Sequence, residues 1–114
     1  MDPAKELEKS NAHIIVEIIE YLPNTVVSRT IIRKITGNIT ASSFDAGEES
    51  TEGTSPFDNY IQIIDGKAEL SIDKKVVRLI KGEGIIIPAH ASYKFNANEQ
   101  FKMISTVIKS GYED

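Results

Sequence analysis

From residue 25 onward the hydrophobic positions fall in short, β-branched runs broken by turn-forming residues, with a period of two and no sustained helical period. The runs are residues 25–35 (TVVSRTIIRKI), 39–44 (ITASSF), 59–64 (NYIQII), 67–72 (KAELSI), 76–80 (VVRLI), 85–88 (IIIP), 93–97 (YKFNA) and 101–109 (FKMISTVIK). Between them stand Thr36-Gly37-Asn38, Asp45-Ala46-Gly47, Asp65-Gly66, Asp73-Lys74-Lys75 and Lys81-Gly82-Glu83-Gly84. Asp65-Gly66 predicts a tight hairpin, and EESTEGTSP over residues 48–56 predicts a long polar loop. Short strands with turn signals about every 8–12 residues predict a sandwich or closed barrel. The lack of strong helices after Pro23 argues against a parallel α/β sheet.

Alternation fixes sidedness within a strand. If Asn59 points into the barrel, Ile61 and Ile63 do too, and Tyr60, Gln62 and Ile64 point out. The outward set keeps an aromatic and an aliphatic residue, which suits packing against another sheet or subunit. Arg78, Lys94 and Lys102 alternate with apolar residues and are expected to face solvent.

The start of the chain reads differently. Residues 2–10 are rich in helix formers, and Asp2-Pro3 resembles an N-cap followed by proline, so a frayed helical turn is the most expected there. Residues 14–22 (IIVEIIEYL) are ambiguous: their β-branched content favours a strand, while Ile14, Ile15, Ile18 and Ile19 also fit one helical face. Pro23-Asn24 closes the segment. Residues 1–24 therefore read as an N-terminal extension and residues 25–110 as the barrel.

Bulk properties narrow the function classes. With 114 residues the chain suits one domain, and 40% apolar with 26% charged residues is ordinary for a globular protein. A net charge of −4 gives no basic footprint for nucleic acid and no polybasic membrane segment. There are no cysteines, which excludes disulfides, thiolate zinc sites and cysteine nucleophiles. No apolar run approaches a membrane span, and the first residues lack the pattern of a secretory signal, so a cytoplasmic protein is expected. No G-x-S-x-G, H-E-x-x-H or phosphate-binding glycine-lysine motif is present.

The glycine and proline punctuation of residues 47–97 resembles the two sequence motifs of the cupin superfamily. Gly47 is followed after five residues by Gly53-Thr54-Ser55, then by Asn59 and by Gly66. Gly82 is followed after five residues by Pro88-Ala89-His90, then by Tyr93 and Ala97. The resemblance spans residues 39–108 and is of the small cupin-2, RmlC-like kind. It implies an all-β cupin (jelly-roll) barrel. It also implies that the positions holding a divalent metal in other cupins, two histidines and a glutamate in the first motif and a histidine in the second, are here Gly53, Ser55, Asn59 and Tyr93. Glycine offers no ligand atom, and neutral serine, asparagine and tyrosine are poor donors to a transition metal. No cofactor is expected, and the dioxygenase, isomerase and decarboxylase chemistries of metal cupins are not carried over.

Three acidic or imidazole residues beside the motifs, Glu52, Asp58 and His90, are weak candidates for a displaced metal site. A solvated acidic rim is the plainer reading of the first two. His90 stands where cupins usually place glycine, which fits a turn residue tolerating an unusual backbone. His13 lies outside both motifs and reads as a surface or capping residue. In a closed barrel Ser55, Asn59, Ile61, Tyr93, Phe95 and Met103 converge as a largely apolar pocket with a few polar groups, the usual make-up of a small-molecule site. The alternative is that the polar members bond one another and fill the space of the lost metal.

Three functions follow. The leading one is a metal-free small-molecule-binding or interaction module. The second is an enzyme, through a displaced metal or through Tyr93 as acid/base in a reaction like that of the RmlC-type sugar epimerases, whose partner histidine has no match here. The third is a structural or regulatory dimer without ligand. By fold analogy a homodimer is expected, with residues 14–22 placed to add to a neighbour's sheet edge.

Overall fold

The computed structural model describes residues 5–112. The helix start expected at Asp2-Pro3 lies outside the described residues. Seven strands follow in order: β1 (Val26–Lys34), β2 (Gly37–Phe44), β3 (Asn59–Ile72), β4 (Lys75–Ile80), β5 (Gly84–Ile87), β6 (Tyr93–Asn96) and β7 (Phe101–Ile108). All their pairings are antiparallel. The strand order is β1-β2-β7-β3-β4, with β5 and β6 also pairing with β3. The first part of β3 runs between β7 and β5, and its second part between β4 and β6. One strand thus belongs to both walls of an all-β jelly-roll barrel.

That continuity corrects the hairpin expected at Asp65-Gly66. β3 runs unbroken through both residues, and its register with β7 slips between Ile63 and Asp65. Gly66 has φ +71°, and a Cβ there would overlap the Gln100 carbonyl. The same preference for positive φ that favours Asp-Gly in tight turns here serves a bulge that bends one strand from wall to wall.

Alternation then builds the core. Ile61 and Ile63 are fully buried while their neighbour Tyr60 is 44% exposed. Past the bulge the phase changes, so Ala68 and Leu70 are the buried positions. These residues pack with Phe44, Leu79, Ile87, Phe95, Phe101 and Met103. The Phe44 and Phe101 rings stack at 4.5 Å, and Phe95 leans on both at 5.9 and 6.2 Å.

The described residues of the N-terminal extension form neither strand nor α-helix. It contains one 3-10 turn, Ile15–Glu17, and lies across the outer face of β1, β2 and β7 of its own barrel. Leu7, Ile18 and Ile19 bury themselves there against Ala41, Val27, Ile31 and Ile104. Its carbonyls, left without ladder partners, are met by outward side chains of the sheet. Arg29 donates to Ile18 O (2.8 Å), Ser43 to Glu20 O (2.8 Å) and Lys102 to Val16 O (2.7 Å). Lys102 is consequently 9% exposed, which corrects the solvent-facing reading, and its Nζ sits 4.9 Å over the Tyr21 ring. Tyr21 in turn donates to Asp65 at 2.7 Å. Arg78 keeps the exposed position expected of it, beside Glu69 at 3.6 Å. Among the described residues no helix is long and apolar enough to cross a membrane.

Candidate functional site

Gly53 and Tyr93 face each other across an antiparallel bridge. Gly53 N–H donates to Tyr93 O (3.0 Å), and Tyr93 N–H donates to Gly53 O (2.9 Å). Farther along, Asn59 pairs with Ile87 and Ile61 with Ile85 in the same register. Gly53, Ser55 and Asn59 therefore share the inward face, opposite Tyr93, Ala91 and Ile87. Inward orientation is supported by burial: Ala91 is 7% and Ile87 2% exposed. The Tyr93 ring meets Phe95 edge-on at 6.1 Å.

The punctuation of the motifs has a backbone cause. Gly47, Gly66 and Gly82 all adopt positive φ, at +89°, +71° and +91°. His90 also lies in the left-handed region, at φ +70°, so it does fill a glycine-like turn position. Its N–H donates to Ser55 O at 2.6 Å, tying the two motifs together at the turn.

The polar groups at the motif positions are engaged with protein partners. Asn59 Oδ1 accepts from Ser105 Oγ at 2.7 Å, and Ser55 Oγ accepts from Phe57 N–H at 3.2 Å. The Tyr93 hydroxyl lies 3.9 Å from where a Cβ on Gly53 would stand. A divalent metal needs several imidazole or carboxylate donors converging on one point. A glycine, two neutral groups already hydrogen-bonded elsewhere and a phenol packed toward the glycine do not fit one.

Glu52, Asp58 and His90 do not form a substitute. Glu52 accepts from Ser92 Oγ at 2.6 Å, and Asp58 accepts from Ala89 N–H at 2.8 Å. Among the described residues no group of three His, Asp or Glu side chains comes close enough to hold an ion. His13 lies in the extension, its Nε2 3.1 Å from Glu8 O.

Of the pocket residues expected from sequence, Ile61, Phe95 and Met103 are at most 7% exposed and belong to the packed core. Ser55 and Asn59 stand above them, half-buried, on the inner face. Tyr93 also lines a surface cavity of about 420 Å³ with Glu52, Ser71, Asp73, Lys74, Ser92 and Lys94. A second, wider concavity of about 660 Å³ lies at the β1–β2 turn, lined by Arg33, Lys34, Ile35, Asn38 and Lys109. Ser105 and the residues of this second concavity were not singled out by sequence. Counting by twos along β7 from buried Phe101 reaches Ser105 and Lys109 and was the available signal.

No family model matches the sequence, and no curated protein matches it. Among solved structures the chain is similar to a conserved protein of unknown function from Streptococcus pyogenes, with 28% identity, TM-score 0.88 and 97% of each chain covered. It is similar in fold to a cupin superfamily protein from Desulfitobacterium hafniense, with 24% identity, TM-score 0.86, and 93% of this chain and 97% of that one covered. A cupin 2 conserved barrel domain protein from Leptotrichia buccalis shares 28% identity at TM-score 0.80, over 82% of this chain and 46% of that one. Together with the shared strand β3 and the register of the two motifs, these neighbours show that the chain has the jelly-roll fold of cupin superfamily proteins, RmlC-like in architecture, with Gly53, Ser55, Asn59 and Tyr93 at the positions where the resemblance puts metal ligands.

Proposed function

We propose that this protein is a small-molecule-binding or interaction module that uses the cupin barrel without a catalytic metal. The carrying observation is the state of the four motif positions. Gly53 supplies no donor, Tyr93 packs toward it, and Ser55 and Asn59 are hydrogen-bonded within the protein. The polar groups of Ser55, Asn59 and Tyr93 share the inner face with the buried Ile61, Phe95 and Met103. Such a combination suits recognition of a small molecule. Tyr93 has no hydrogen-bonded histidine beside it, so the acid/base role imagined for an epimerase-like enzyme has no partner among the described residues.

The test is a metabolite panel screened by thermal shift on protein treated with EDTA. A stabilising compound whose effect is lost in Asn59→Ala supports the reading. Chemical turnover of a panel member that disappears in Tyr93→Phe overturns it in favour of an enzyme, and silence across the panel counts for the ligand-free structural dimer. We also propose that two copies associate through the outer face where β3 meets β5. Tyr60 and Ile86 are cross-strand partners there, 44% and 62% exposed.

A further inference from the structure

We propose that the mouth of the barrel binds a small organic anion, a carboxylate or a phosphate ester, between Arg33 and Lys109. This deepens the reading of the barrel as a small-molecule site and rests on it.

Strand register sets which side chains share the inner face. Arg33 pairs with Asn38, Asn38 with Val107, and Val107 with Asn59. Cross-strand partners point to the same side of a sheet, so these residues form one row across β1, β2, β7 and β3. The row is inward, because Ser105, Met103 and Phe101 alternate with Val107 along β7 and are all buried. Lys109 continues that alternation one step past the strand, where its N–H bonds Thr36 O at 2.7 Å. Arg33 and Lys109 both line the concavity at the β1–β2 turn, together with Asn38.

The charge there is only partly compensated. Lys34, which also lines the concavity, is matched by Glu6 at 3.5 Å, and the same carboxylate accepts from the Arg33 backbone N–H at 2.7 Å. Among the described residues neither Arg33 nor Lys109 has a carboxylate within ion-pair distance. Asp58, whose carbonyl accepts from Ile108 N–H, turns its carboxylate to Ala89 N–H instead. In a chain of net charge −4, two unmatched cations on one concave surface are a local reversal of sign. Lys109 Nζ is steadied 6.0 Å from the Phe57 ring. A guanidinium fork offers paired donors to a planar carboxylate or a phosphate, and Asn38 lines the same concavity. At about 660 Å³ the concavity is of the size small metabolites occupy.

The test is a titration of isotope-labelled protein, followed by amide NMR at constant ionic strength, with succinate and glucose 6-phosphate. Succinamide and glucose serve as their neutral counterparts. The expected result is that at least one anion shifts the amides of Arg33, Asn38 and Lys109 while its neutral counterpart does not. Arg33→Gln and Lys109→Gln are expected to weaken that binding at least tenfold, with the exposed Lys81→Gln unchanged. Whichever anion binds more tightly assigns carboxylate or phosphate. Neutral probes that shift Asn59 and Ser105 with no effect of the two substitutions overturn the anion assignment and leave the barrel a binding site. No shift with any probe overturns both.

Discussion

The ring of Tyr93 stands over Gly53, its hydroxyl 3.9 Å from the place of a Cβ on that glycine, while the two backbones exchange a pair of hydrogen bonds. The two positions where the resemblance to cupins puts metal ligands hold a bulky residue packed against an empty one. Because Gly53 has no positive φ and a Cβ there would meet Tyr93 only at an ordinary contact distance of 3.9 Å, it is glycine without a backbone reason. Gly66 is the opposite case, with φ +71° and the Gln100 carbonyl in the way. Urea unfolding is expected to show Gly53→Ala within about 0.5 kcal/mol of wild type, and Gly66→Ala destabilised by about 2 kcal/mol or more. Equal tolerance at both sites would contradict the bulge that carries β3 from one wall to the other.

The extension is held by side chains that reach it from the barrel. Burial, and then the hydrogen bond to Asp65, hold the Tyr21 phenol well above the usual tyrosine range. A group whose folded pKa exceeds its unfolded value contributes stability that is full below the unfolded value, about 10 for tyrosine, and is lost as pH rises beyond it. Wild-type stability is therefore expected to decline above about pH 10, and Tyr21→Phe to flatten that decline. At neutral pH the same substitution is expected to cost about 1 kcal/mol for the lost hydrogen bond. Chemical denaturation across pH 7–11 reads both effects; a Tyr21→Phe curve parallel to wild type above pH 10 would remove Tyr21 from the linkage.

Association through the Tyr60–Ile86 face has a simple readout. Sedimentation velocity at micromolar concentration is expected to give a dimer for wild type and a monomer for Ile86→Lys. The substitution places a charge where an apolar surface is buried between copies, while an exposed residue of β5 tolerates it in the fold. A wild-type monomer refutes the association, and a dimer unaffected by Ile86→Lys moves it to another surface.

Much of the barrel was legible because its signals are local. Gly47 and Gly82 mark backbone that only a residue at ease with positive φ adopts, and His90 betrays the same need by standing in a glycine position. The inward set of Ile61 and Ile63 followed from alternation once Asn59 was taken to point inward. Asp65-Gly66 misled for a physical reason: the dipeptide reports a conformation, and that conformation serves a bulge as well as a turn. Residues 14–22 were illegible because their structure is decided by Arg29, Ser43 and Lys102, distant in sequence, which supply the donors the segment lacks. Lys102 was misread on the same ground, since nothing near it in sequence shows the carbonyl that draws it inward. The cations at the barrel mouth stayed hidden because Arg33, Asn38 and Lys109 meet only through strand pairing.

The absence of a working metal centre is the claim on which the functional reading turns. Elemental analysis of untagged protein, purified without chelator and then incubated with Mn, Fe, Ni or Zn and desalted, tests it most directly. Far less than one metal per chain is expected to remain, unchanged by Glu52→Gln or His90→Ala. Near-stoichiometric metal that is lost on either substitution would contradict it.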